Sequence, residues 1–191
     1  SFLTTSGDIP PELAKEVIST LKDFYRRFIS DNRGLDRLNN IEPEIENILK
    51  LMEDCFHYQQ YDFVLWIMDE TGISLEHLGR WEQRIRYGYL AMEAADALGD
   101  RCRRAWIHAY DIGWTYFYKG DWEQARKIFE EILKIGREEN DRRLIALAQR
   151  NLGILIREEG RDYRRAHQLL QESLDIWKAL GDERWQAITE G

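Results

Sequence analysis

The sequence predicts an all-α chain, a right-handed α-α superhelix built as a solenoid of antiparallel helical hairpins, with about nine helices. Three observations lead there. Glycine pairs of constant spacing recur as Gly72 and Gly79, Gly113 and Gly120, and Gly153 and Gly160. The first step between pairs is one position longer than the second, and a near-constant period of this size marks a repeat architecture. Between the glycines, apolar residues recur at three- and four-residue spacing, which places them on one helix face. Only three prolines interrupt 191 residues, so long helices are unhindered.

Taken in order, residues 1–10 read as a tail or an artificial remnant, and residues 11–60 as a helical pair packed on the solenoid. The first helix spans 11–30, with Pro10 and Pro11 at its start, where a missing N–H does little harm. Leu13, Val17, Leu21, Phe24, Tyr25 and Phe28 mark its apolar side. Asp31, Asn32, Arg33 and Gly34 form a break, and a second helix opens near Pro43 and runs to about His57. Three repeats of about 41 residues follow, at 61–100, 101–140 and 141–181, and 182–191 begins a truncated fourth, with Trp185 near the equivalent of Trp106. The middle repeat is the clearest. Ala105, Ala109, Ile112, Gly113 and Tyr116 form the inner stripe of its first helix. Gly120 closes that helix, and Asp121 N-caps the next. Ala125, Ile128, Phe129, Ile132 and Leu133 continue the stripe. In the third repeat Ala166 follows its glycine by one residue more than Ala125 does, so the turn at Arg161-Asp162 carries an insertion. A glycine in mid-helix costs roughly 1 kcal/mol against alanine. The recurrence of Gly72, Gly113 and Gly153 therefore predicts close helix–helix approach there.

The segment YKGDWEQARKIFEEIL, with IGWTYF before it, resembles a tetratricopeptide repeat. The matching places are Ile112, Gly113, Tyr116, Gly120, Asp121, Trp122, Ala125 and Phe129. The third unit keeps Leu152, Gly153, Gly160, Tyr163 and Ala166. The first keeps Gly72, Gly79 and Trp81 but carries Arg84 and Gly88 where the family prefers alanine and an aromatic. The family repeat is about 34 residues, and the excess of about two helical turns is expected at the ends of the helices away from the hairpin turn. Extended repeats ending in Leu-Gly-Asp (Leu98-Gly99-Asp100, Leu180-Gly181-Asp182) are similar to those in C-terminal arms of bacterial NB-ARC/STAND signalling ATPases. The run LNNIEPEIENI, with Glu44, Glu46 and Asn47, resembles the segment that precedes such repeats. The resemblance covers roughly residues 36–191. It implies a non-catalytic module whose partner is a protein or peptide segment, or an intramolecular NTPase domain absent from this chain.

Composition narrows the alternatives. The formal net charge of -8 argues against broad phosphate-backbone binding. The acidic excess lies in residues 1–100, and short arginine clusters at 101–104, 142–143 and 161–165 read as solvated faces. No apolar run approaches the ~18 residues of a membrane helix, and no signal peptide is visible. Two separate cysteines, Cys55 and Cys102, without a disulfide framework point to the cytoplasm. Ser1 opens the chain and Gly191 closes it within a helical pattern, so it reads as a fragment of something longer. There is no GxxxxGK[ST] and no GxGxxG, and His57, His77, His108 and His167 are scattered, so no catalytic group, cofactor site or metal site is expected.

What remains is a surface. The first helix of each hairpin lines the concave side, which places Trp66, Asp69, Ile73 and Glu76 there in the first repeat. The second contributes Tyr110, Trp114, Phe117 and Tyr118, and the third Arg150, Ile154, Arg157 and Glu158. Tyr110, Trp114 and Phe117 form an aromatic stripe separate from the core stripe, so that helix is apolar almost all round. Either other helices cover the stripe, or it is a groove in which aromatic and arginine anchors hold a partner. A structural arm that self-associates through its open C-terminal end is the alternative.

Overall fold

The structure, a computed structural model, describes residues 10–32 and 37–190. Residues 1–9 of the expected tail and the Arg33-Gly34 part of the expected break lie outside these residues. The described residues are helical, with no strand among them. Two compact units form, residues 1–99 and residues 100–191. The first contains α1 (Pro11–Asp31), the single turn α2 (Leu38–Ile41) with a 3-10 turn after it (Glu42–Glu44), α3 (Ile45–His57), α4 (Tyr61–His77) and α5 (Trp81–Ala97). Here α1 packs on α3, α3 on α4 and α5, and α4 pairs with α5. The second contains α6 (Arg101–Ile107), a π-helix (His108–Gly113), α7 (Trp114–Tyr118), α8 (Trp122–Glu138), α9 (Arg142–Glu159), α10 (Tyr163–Leu180) and α11 (Glu183–Glu190). In it α8 packs on α9 and on the π-helix and α7, α9 on α10, and α10 on α11. With residues 101–118 taken as one helix and α2 set aside, nine helices are described. The all-α, hairpin-built class expected from the glycine period is what forms.

The face of α1 differs from expectation. Ala14, Ile18, Tyr25 and Ile29 are buried, while Leu13 and Phe24 are about half exposed, at 49% and 54%. Two apolar stripes overlap on this helix, and the one through the two isoleucines faces α3. Phe24 instead stacks on Phe28 along the surface, with ring centroids 6.1 Å apart.

The chain reverses by one repeated device. A left-handed residue stands at each of Gln59, Gly79, Gly99, Gly120, Asn140, Gly160 and Gly181, so the underlying rhythm is one helix per left-handed residue, two to each repeat. At Gly79, Gly120 and Asn140 the paired bonds of a Schellman cap are complete. Arg80, Asp121 and Asp141 donate their N–H to the carbonyls of Leu75, Tyr116 and Gly136 at 2.8, 2.9 and 2.8 Å, and the left-handed residue itself donates three residues back. The donor that ends one helix is also the N-cap of the next. In the second unit the N-cap is always aspartate. Asp100, Asp121, Asp141, Asp162 and Asp182 each accept a backbone N–H of the first helical turn, a contact that contributes about 1 kcal/mol each. In the first unit Gln60 and Arg80 hold these positions without a side-chain cap bond. Gln59, at φ 58°, carries a Cβ where the left-handed backbone costs about 1–2 kcal/mol. Gln59→Gly is therefore expected to raise the urea midpoint, with a gain of about 1 kcal/mol; no gain would show that the turn relaxes around glutamine.

The uneven glycine steps have a cause. The interval from the N-cap to the next left-handed residue is the same in every helix from α4 onward except the one spanning residues 101–118, where it is longer by one. That helix contains the π-helix, which takes up the additional residue. Gly72 and Gly153 stand equally far from their N-caps Gln60 and Asp141, whereas Gly113 stands one position farther from Asp100. The shorter step is thus the basic period, and the longer one records the π-helix. The added residue keeps both halves buried. Ala105 and Ile107 hold the core register before it, and residues 111–115 hold it after.

The mid-helix glycines are sites of close approach where the geometry is defined. A Cβ on Gly113 would meet Phe129 Cε1 at 2.5 Å, and one on Gly153 would meet Leu170 Cγ at 2.9 Å. Gly136 of α8 does the same for the following helix, with the Ile145 backbone N at 3.0 Å. Gly72 is buried.

Candidate binding groove

Within the second unit, the helix of residues 101–118 and α9 run as neighbours across α8, and their side chains meet at a cavity of about 330 Å³. Trp114, Phe117 and Tyr118 form one wall, Arg150, Ile154, Arg157 and Glu158 the other, and Leu170 the floor from α10. Seven of the twelve residues expected on the concave side line this one cavity. The closing side comes from α11, through Ile188 and Thr189.

Trp114 does not stand open as an anchor. It is 8% exposed, set edge-on to Phe117 at 4.8 Å and close to Phe129 at 6.0 Å. The Arg150 guanidinium lies over its ring at 5.5 Å. Tyr110 turns to α11 and meets Trp185 edge-on at 6.1 Å. Tyr110 is therefore packed against α11, and Trp114 is covered by Arg150, Phe117 and Phe129. An anchoring role for Trp114 itself is lost with that burial, and the accessible part of the stripe moves to its end. Tyr118 is 53% exposed, and Phe117 is half-buried and stacked on Trp122 at 6.5 Å.

Arg150 is the chemical centre of the cavity. Its Nε and Nη2 donate to the Ile188 carbonyl at 3.3 and 3.1 Å. Burial pushes its pKa down, the Tyr110 and Tyr118 hydroxyls push it back up, and Arg157 lowers it. Among the described residues Arg150 makes no ion pair with a carboxylate. Arg157 at the rim is exposed, with Nε 3.6 Å from Glu158.

The four expected residues of the first unit lie on α4. Trp66 is half-buried, stacked on Phe63 at 4.9 Å beneath the Arg26 guanidinium at 6.0 Å. Asp69 and Ile73 are exposed. Glu76 is not available to a partner, because its carboxylate is paired with the guanidinium of Arg84, which is 1% exposed. Periodicity placed Glu76 outward. It missed that Arg84, across the turn on α5, occupies a core position and needs a counter-charge.

Reactive chemistry is muted elsewhere. Burial pushes the Cys55 thiol up to about 12, well away from thiolate formation at neutral pH. His108, at the start of the π-helix, is pushed down by burial and partly restored by Glu131, whose carboxylate lies 3.9 Å away. No group of three or more His, Cys, Asp or Glu that could hold a metal occurs among the described residues. No helix among them is long and apolar enough to cross a membrane. A broader depression on α1, bounded by Phe24, Phe28 and Arg27, draws all its walls from a single helix and lacks converging polar groups.

Sequence reasoning missed the contributions of Leu170, Ile188 and Thr189, and the part played by Trp185. The position of Trp185 in a repeat frame says only that it starts a helix, not that the helix packs against Tyr110.

Compared with known protein families, residues 105–179 match the model of a tetratricopeptide repeat family. The matched stretch runs from α6 to the end of α10 and so takes in both walls and the floor of the cavity. No curated protein matches the chain.

Proposed function

We propose, from the tetratricopeptide likeness of residues 105–179 and the cavity those residues build, that this chain is a non-catalytic module that binds a protein or peptide segment. Tetratricopeptide repeats generally mediate protein–protein interaction. One observation carries the reading. A single cavity joins exposed aromatic surface at Tyr118 to two arginines, one half-buried over a tryptophan and one at the rim, the residue types that dominate binding energy at interfaces. On the sequence side, the extended repeats ending in Leu-Gly-Asp, with LNNIEPEIENI ahead of them, support a sensor or scaffold arm of a larger bacterial STAND-type signalling protein. Such an arm would be cytoplasmic, with its own NTPase domain as one occupant.

Selection of a displayed random-peptide library on the chain tests this, with Tyr118→Ala as the comparison. Tyr118 is more exposed than buried, so the substitution should leave the helical content unchanged. Selected peptides should bind the Tyr118→Ala chain about tenfold more weakly, the loss typical of an interface anchor. Equal binding to both chains would place the partner surface elsewhere. A chain that selects nothing and instead gains mass with concentration would favour the self-associating arm.

A further inference from the structure

The geometry points to Tyr110 as the positioning residue of Arg150, set beside it by a helix that carries one residue more than its repeat frame requires; this rests on the partner-binding reading above.

Register defines the place. Arg150 of α9 and Asp69 of α4 stand equally far from their N-caps, Asp141 and Gln60, and equally far from their mid-helix glycines, Gly153 and Gly72. In the helix of residues 101–118 the same two measures disagree. Counted from Asp100 the place falls on Ala109, and counted back from Gly113 it falls on Tyr110. Both residues lie in the π-helix. In an uninterrupted α-helix an added residue would turn everything beyond it by about 100°, and Ala105 and Ile112 could not then both stay in the core. The π-helix absorbs the residue instead. Ala109 is fully buried, and Tyr110 is half-buried on the aromatic stripe.

Tyr110 thus holds in one repeat the place that Arg150 holds in the next. Trp114 stands in the same relation to Ile154, Phe117 to Arg157 and Tyr118 to Glu158, and all of those residues line the one cavity. Tyr110, Trp114 and Tyr118 follow at one-turn steps, and the Arg150 guanidinium lies over the middle ring at 5.5 Å. Burial lowers its pKa, and the hydroxyls at the two ends of the row, Tyr110 and Tyr118, raise it again. Tyr110 and Arg150 also share a neighbour in α11. Trp185 meets the ring of the first at 6.1 Å, and the Ile188 carbonyl, a turn later, accepts from the second at 3.1 Å. Rings, hydroxyls and a carbonyl therefore fix the guanidinium while leaving its charge unneutralised. A cation held in place before binding loses less freedom when a partner arrives.

Nuclear magnetic resonance of the isotope-labelled full chain tests this without any partner. The Arg150 side-chain Nε–H, assigned by its loss in Arg150→Lys, should be shifted upfield by the Trp114 ring and exchange slowly with water. Tyr110→Ala and deletion of Tyr110 should each speed that exchange about tenfold and remove most of the ring shift. Deletion of Ala109 shortens the helix equally but leaves Tyr110 at the place, so the signal should stay where it is. Equal effects of the two deletions overturn the inference, as does an unchanged signal in Tyr110→Ala. Where circular dichroism shows that a deletion does not fold, the point substitution decides alone. With peptides selected from the library, Tyr110→Ala should weaken binding about fivefold in the unaltered chain but not in an Arg150→Gln chain, because a positioning residue acts only through the group it places. Additive losses overturn the inference. A chain that selects no peptide removes the partner-binding reading, while the resonance of Arg150 still decides the role of Tyr110, so the two failures are distinct.

Discussion

Glu76→Ala is expected to lower the unfolding free energy by about 3 kcal/mol, because it removes a carboxylate partner from the buried guanidinium of Arg84. The asymmetry of such pairs makes the prediction sharp. Removing one partner leaves an uncompensated charge in the core, whereas replacing the cation by an apolar side chain of similar size is often neutral. Arg84→Met should therefore cost less than Glu76→Ala, and the double variant should recover most of the loss. Urea unfolding followed by circular dichroism reads all three. Glu76→Ala within about 0.5 kcal/mol of the parent would mean that the other contacts of Arg84 suffice, and that Glu76 is available to a partner after all.

That residue also shows where the sequence stops being legible. The hairpin alternation follows from the glycine pairs because a repeat period is a property of the whole chain and survives local exceptions. The walls of the cavity follow for the same reason: Trp114, Phe117 and Tyr118 hold, in one repeat, the places that Ile154, Arg157 and Glu158 hold in the next. Pairing across a turn carries no such signal. Arg84 looked like a departure from a small-residue position, and only the structure shows that Glu76, on the preceding helix, is its counter-ion. The π-helix was visible only as one glycine step longer than the next, because a single additional residue changes neither composition nor periodicity on either side of it. The path of α11 was not legible at all. The seat of α11 depends on where Trp185 finds its rings, and those lie on two other helices, Trp106 and Tyr110 on that of residues 101–118 and Trp177 on α10. On α1, two overlapping apolar stripes gave pattern reading no basis for choosing between them.

Gly113→Ala is the second large effect, with an expected loss of about 3 kcal/mol even though alanine gains roughly 1 kcal/mol in helix propensity. The new Cβ would sit 2.5 Å from Phe129 Cε1 and 3.2 Å from Ile128 Cγ2. Phe129 is fully buried and already packed near Trp114, so its ring cannot swing aside without moving the groove wall. Gly153→Ala makes the informative contrast. Its nearest obstacle, at 2.9 Å, is the side chain of Leu170, which borders the cavity, with the Ala166 backbone carbonyl at 3.1 Å, so a smaller loss of about 1 kcal/mol is expected. Phe129→Leu combined with Gly113→Ala should restore part of the stability that the alanine removes, since the leucine lacks the offending ring edge. A Gly113→Ala chain that unfolds at or above the parent urea midpoint would refute the close-approach reading. If it is destabilised as expected but still folds, the strain passes through Phe129 into Trp114. Peptide binding at the groove should then weaken while Tyr118 and both arginines remain unchanged.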